Sequence, residues 1–159
     1  MLAKRLIPAA FAALFVGALV FATRAPASGT AAPFDGEPEI IAATFASAWC
    51  PACRVLEPKL AKVIPEFSSE PVSFVEFDFT FGPRDELKQA AEAYRIGEIY
   101  ERNKGATGFT ILVDYDTGEI LDTLTMNFSE AAMKAAIARA IVIAASTDEL
   151  NADEAEIAD

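Results

Sequence analysis

The residues with the clearest chemistry form one short run, Trp49-Cys50-Pro51-Ala52-Cys53. A spacing of two intervening residues brings two sulfurs within bonding reach across one helical turn. Where such a pair opens a helix, the first cysteine lies beside backbone N–H groups without intrahelical partners, at the positive end of the helix dipole. Both favour the thiolate, so Cys50 is expected to have a lowered pKa and to act as nucleophile. Cys53, one turn further on, is the natural resolving thiol that attacks a mixed disulfide on Cys50 and releases the partner. Pro51 suits a first helical turn and stiffens the loop. Three other readings compete. A static disulfide is weakly motivated, because so small a loop constrains the unfolded chain little. Two thiolates also suit a soft metal such as Cu(I), but there is no histidine and the only methionines are Met1, Met126 and Met133. The third is chance spacing.

Composition excludes much else. The absence of histidine rules out Ser–His and Cys–His pairs, imidazole bases and His-ligated metals. Two cysteines are too few for a four-thiolate zinc site or an iron–sulfur cluster within one chain. No bound metal or cofactor is expected, since the cysteine pair is itself the redox centre. The 159 residues carry a net charge of −11, with no basic cluster outside the extreme N-terminus. Nucleic-acid binding, which needs an electropositive footprint, is therefore not expected.

The elements that must position the pair begin after an export-type segment. Lys4 and Arg5 precede the apolar run of residues 6–21, and Ala25-Pro26-Ala27 offers a small-x-small cleavage pattern. Residues 1–27 are read as a signal peptide, or as an uncleaved N-terminal anchor, and either directs the remainder out of the cytoplasm. Cleavage removes Lys4, Arg5 and Arg24 and leaves 10 basic against 24 acidic residues, a net charge of −14. Outside the cytoplasm a close cysteine pair can be oxidised.

Residues 28–38 form a Gly/Pro/Ala/Ser linker. Residues 39–46 read as a buried strand, and a helix is expected from about 50 to 67, kinked at Pro58. A second strand spans 72–79, with Val75, Phe77 and Phe79 on one face. A helix from about 83 to 94 follows. Residues 109–114 and 119–124 are strands around an Asp-Thr-Gly turn. Ser129 can cap a final helix from 130 to about 145. Residues 147–159 read as an acidic, disordered tail. Phe45, Phe74, Phe77, Phe79 and Phe109 are most simply core residues. The order is β-α-β-α-β-β-α over residues 39–146.

At this point residues 39–146 resemble the thioredoxin superfamily. The specific part is FASAWCPACRVLEP: a strand, then Trp49, Cys50 and Cys53, then Arg54, with Pro58 five positions after the second cysteine. The resemblance implies an α/β thioredoxin fold, a central mixed sheet flanked by helices. It also implies an exported, periplasmic thiol–disulfide oxidoreductase. Its partners are then exported proteins with cysteines and a membrane redox partner that recycles it. With no room for a dimerisation domain, the chain is expected to be a monomer. Trp49, Pro51, Thr107 and Gly108 are the implied substrate-binding residues, Trp49 by shielding the disulfide.

Three features depart from the family pattern. Gly108, preceded by Thr107, falls where the family has a cis-proline beside the disulfide. Thr44 stands six residues before Cys50, where thioredoxins place a buried acid. Glu57 is a candidate substitute for that acid, although a solvent-facing glutamate is the simpler reading. The polar stretch 97–104 is expected to be a surface loop on the side that bears the cysteines.

Overall fold

A computed structural model describes residues 36–157 of the chain. The signal segment and most of the linker lie outside the described residues. Four strands form one mixed sheet: β1 (Ile40–Ala46), β2 (Val72–Asp78), β3 (Phe109–Asp114) and β4 (Ile120–Thr125), in the order β2-β1-β3-β4. β1 runs parallel to β2 and antiparallel to β3, and β4 is antiparallel to β3, so β3 alone opposes the other three. This is the α/β thioredoxin fold.

β1 is central and fully buried, which is why IIAATFA reads as a nearly unbroken apolar run. Strand residues alternate between two faces. Ile40, Ala42, Val72, Phe74 and Leu112 pack on α1 (Cys53–Val63) and α4 (Glu130–Ile157), through Leu56, Leu60, Met133 and Ile137. Ile41, Ala43, Phe45, Val75 and Phe77 pack on the opposite layer, α2 (Asp85–Ala93) and α3 (Gly97–Asn103), through Ala91, Ile99 and Tyr100. Helices on both faces leave the ends of β1 and β2 as the place where loops meet.

The helices differ from the sequence expectation in three respects. α1 begins at Cys53, and residues 64–67 tighten into a 3-10 turn around Pro65, which has no N–H to give an α-helical bond. The expected loop at 97–104 is the helix α3, because Ile96, Ile99 and Tyr100 recur at helical spacing and all three are buried. The Phe77 and Phe79 rings lie 5.5 and 5.8 Å from that of Tyr100. Lastly, α4 continues to Ile157, so the expected disordered tail is helical there. Its first residues are rich in alanine, and the Ser146 and Thr147 hydroxyls turn back onto the carbonyls of Val142 and Ile143 instead of ending the helix. At the other end Ser129 Oγ accepts the Ala132 N–H at 3.1 Å, as an N-cap does.

Among the described residues, no helix is long and apolar enough to cross a membrane.

Candidate active site

β1 delivers the chain to the cysteines through a tight turn in which the Cys50 N–H donates to the Ser47 carbonyl at 3.0 Å. Cys50 and Cys53 are joined in a disulfide, their Cα atoms 5.3 Å apart. Ala52 occupies the N-cap position of α1 and has no side chain with which to cap it. The orphan N–H of Cys53 is aimed instead at Cys50 Sγ, 3.1 Å away. The helix start thus presents a donor and its positive dipole end to the first sulfur.

The two sulfurs are not equivalent. Cys50 is 8% exposed and Cys53 2%. A cleft of about 390 Å³ opens beside Cys50, walled by Trp49, Pro51, Phe79, Gly105 and Thr107. Cys53 forms no part of its lining. An incoming sulfur therefore meets Cys50 first.

Each residue singled out from the sequence can now be placed. Trp49 is 74% exposed and its ring lines the cleft beside Cys50. Its indole Nε1–H donates to the Thr80 carbonyl at 3.3 Å. Pro51 and Thr107 are cleft walls. Gly108 lies directly against the disulfide. It has φ +100°, and a Cβ built on it would sit 2.8 Å from Ala52 Cβ and 3.3 Å from Cys50 Sγ. Only a residue without a side chain fits that approach. The Gly108 N–H donates to the Phe45 carbonyl at 2.7 Å, extending the β1–β3 ladder to the cysteines. Among the described residues no peptide bond is cis.

Thr44 is buried, and its hydroxyl shares a 2.8 Å hydrogen bond with that of Thr110. Opposite it on β2 is Glu76, and two residues later Asp78. Burial pushes the Glu76 carboxyl above the usual carboxylate range, and the charges of Glu57 and Asp78 push it further. Glu57, on the exposed side of α1, is raised by partial burial and by Asp78. Thr44 and Thr110 thus pair their hydroxyls between β1 and β3, with Glu76 beside Thr44 on β2. The sequence reading missed Glu76 and Asp78. Alternation sets Glu76 and Asp78 on the face of β2 opposite Val75, Phe77 and Phe79, but only the register with β1 brings Glu76 beside Thr44. It also missed Thr80, whose role rests on contacts 31 and 32 residues away in sequence. No group of three or more His, Cys, Asp or Glu side chains is arranged to hold a metal among the described residues.

Fold and site together define a class: a thioredoxin fold carrying a vicinal cysteine pair where the chain enters the first helix. No family model matches the chain, and no curated protein matches it in sequence. Solved structures do resemble it. StoA from Bacillus subtilis is 16% identical, with 65% of this chain and 85% of that one covered and a TM-score of 0.45. Mitochondrial thioredoxin 3 from Saccharomyces cerevisiae is 21% identical, covering 65% and 80% with a TM-score of 0.42. Fasciola hepatica thioredoxin is 22% identical, covering 65% and 82% with a TM-score of 0.41.

Proposed function

We propose that this chain is an exported thiol–disulfide oxidoreductase whose redox centre is the Cys50–Cys53 pair. The observation that carries the reading is the asymmetry of the sulfurs: Cys50 faces the cleft and receives the Cys53 N–H, while Cys53 is buried behind it. That is the arrangement a nucleophile and its resolving thiol need.

In the oxidising direction a substrate thiolate attacks Cys50 Sγ. The Cys50–Cys53 bond breaks, Cys53 leaves as thiolate, and a mixed disulfide forms. A second substrate thiolate then attacks its own disulfide-bonded sulfur, Cys50 leaves as thiolate, and two electrons have passed to the pair. The reverse sequence reduces a substrate disulfide: Cys50 thiolate attacks, and Cys53 thiolate then displaces the substrate from Cys50. In either direction the helix start stabilises Cys50 as attacking or leaving thiolate. The substrates are cysteine-bearing exported proteins, such as those of a periplasm, and a membrane redox partner restores the pair. The protein acts as a monomer without a bound cofactor. Trp49, Pro51, Thr107 and Gly108 form the surface on which the substrate chain lies.

The reduction potential of the pair, measured by equilibration of the purified protein in thiol/disulfide buffers, tests this reading. A value near about −120 mV makes it a donor of disulfides, and one near about −270 mV a reductant. A pair that will not equilibrate, or lies well below about −300 mV, is a structural disulfide and refutes the proposal. Export is tested separately, by expression in a Gram-negative host. Periplasmic protein beginning at Ser28 supports a cleaved signal, and retention in the cytoplasm refutes export.

A further inference from the structure

Hydrogen bonds converge on Thr80, in the loop that follows β2. The Thr80 N–H donates to Asp78 Oδ1 at 2.8 Å, and its hydroxyl donates to the same oxygen. With the hydroxyl proton committed to Asp78, a lone pair of Oγ1 is left to accept, and the Ala48 N–H donates to it at 2.8 Å. The Thr80 carbonyl accepts the Trp49 indole N–H. Thr80 is itself anchored, because the Phe79 N–H donates to the Ala46 carbonyl at 2.8 Å and carries the β1–β2 ladder one residue beyond the strands.

One residue thus holds both the backbone and the aromatic side chain of the segment between β1 and Cys50. The segment's own bonds are local: Trp49 N–H to Ser47 Oγ at 3.3 Å and Cys50 N–H to the Ser47 carbonyl. They close the turn and do not fix it relative to the sheet. Trp49 is largely exposed, so packing does not hold its ring either.

We propose that Thr80, oriented by Asp78, is a positioning residue that fixes the Trp49–Cys50 segment and so shapes the cleft for polypeptide substrates. This rests on the oxidoreductase reading. Thr80 touches no reacting atom. It holds the indole at the rim, where a polypeptide next to the reacting cysteine must pass, whereas a small disulfide reaches Cys50 without meeting that wall. Its loss therefore weakens exchange with polypeptides selectively. One hydrogen bond of this kind corresponds to about a fivefold change in population of the fixed segment.

The test uses the full chain with Thr80→Val, which keeps shape and loses the hydroxyl, and Thr80→Ser, which keeps the hydroxyl. The pair Asp78→Ala and Asp78→Asn repeats the comparison at the carboxylate and serves if Thr80→Val does not fold. Trp49 is the chain's sole tryptophan, so its fluorescence anisotropy decay reports the ring directly and needs no turnover. Thr80→Val and Asp78→Ala keep the carbonyl that accepts the indole but remove or disorient the hydroxyl that holds the Ala48 N–H, so they are expected to loosen the segment and with it the ring, and to lower kcat/KM for a disulfide-bonded polypeptide about fivefold, with exchange against a small aromatic disulfide changed less than twofold. Thr80→Ser and Asp78→Asn are expected to restore both. Unchanged anisotropy, or equal losses with the two substrates, overturns the proposal. If the wild-type protein exchanges with neither substrate, the oxidoreductase reading fails, and the anisotropy still decides whether Thr80 holds Trp49.

Discussion

Gly108→Ala should be among the most damaging single-methyl changes in this protein, and its cost can be worked from two independent geometric facts. The backbone at Gly108 has φ +100°, beyond the left-handed region that other residues occasionally visit. An alanine forced there costs about 1–2 kcal/mol. The new Cβ would also stand 2.8 Å from Ala52 Cβ, where ordinary carbon contacts are about 3.5–4.0 Å, and 3.3 Å from Cys50 Sγ. Relieving it means moving the start of α1 or the strand, and overpacking of this size costs about 1–3 kcal/mol. The expected loss is therefore about 2–5 kcal/mol, read as a fall in the urea midpoint of the oxidised protein at unchanged m-value. A double-mutant cycle with Ala52→Gly separates the terms. Ala52→Gly alone costs under about 1 kcal/mol. In its background Gly108→Ala should lose the steric part and keep the conformational part, an interaction of about 1–3 kcal/mol. A cost within about 0.5 kcal/mol for Gly108→Ala, or strict additivity in the cycle, refutes the close approach of the Gly108 strand to the cysteine turn.

Three further outcomes follow from the structure. Cys53→Ser should trap Cys50 in a mixed disulfide when its thiolate attacks a disulfide-bonded substrate and displaces one of the two substrate thiols, visible as a mass adduct, whereas Cys50→Ser should form none; equal trapping by both variants would contradict the roles assigned from burial. Glu76 has a higher carboxyl pKa in the folded chain than in the unfolded one. The folded state therefore holds more protons between the two values, and this group's contribution to stability falls as pH rises through that window. Glu76→Gln should accordingly raise the urea midpoint at pH 7, with the gain shrinking toward pH 4, and a loss of stability at pH 7 would contradict the sign. Tyr100→Ala, which empties a site 1% exposed beside Phe77 and Phe79, should cost about 3–5 kcal/mol in denaturant unfolding; a near-neutral result would mean that residues 97–103 are the surface loop the sequence suggested.

The helix at 97–103 shows where local reading stops. Glu98, Glu101, Arg102 and Asn103 dominate its composition and mask the helical spacing of Ile96, Ile99 and Tyr100. Tyr100 reads as core only once the phenylalanines of β2 are known to face it. The extension of α4 has a different cause. Charge density suggested a solvated tail, but Glu149, Leu150, Ala152, Glu154, Ala155 and Glu156 are good helix formers whatever the net charge, and they continue what Ser129 starts.

What the sequence determined by itself is whatever acts over a few neighbours along the chain. Alternation set the strands and their faces, Cys-x-x-Cys set the reach of the two sulfurs, and the Asp-Thr-Gly turn set the hairpin. The thioredoxin resemblance put Gly108 where the family's cis-proline lies beside the disulfide, and the structure places it against Cys50. Tertiary structure alone decided which sulfur faces the cleft, which acids lie beside Thr44, and that Thr80 holds the segment leading to Cys50. The physical reason is range. Backbone sterics and helix or strand periodicity reach a handful of residues. Burial, electrostatic coupling and the Thr80 hydrogen bonds arise only when strands dozens of residues apart are laid side by side.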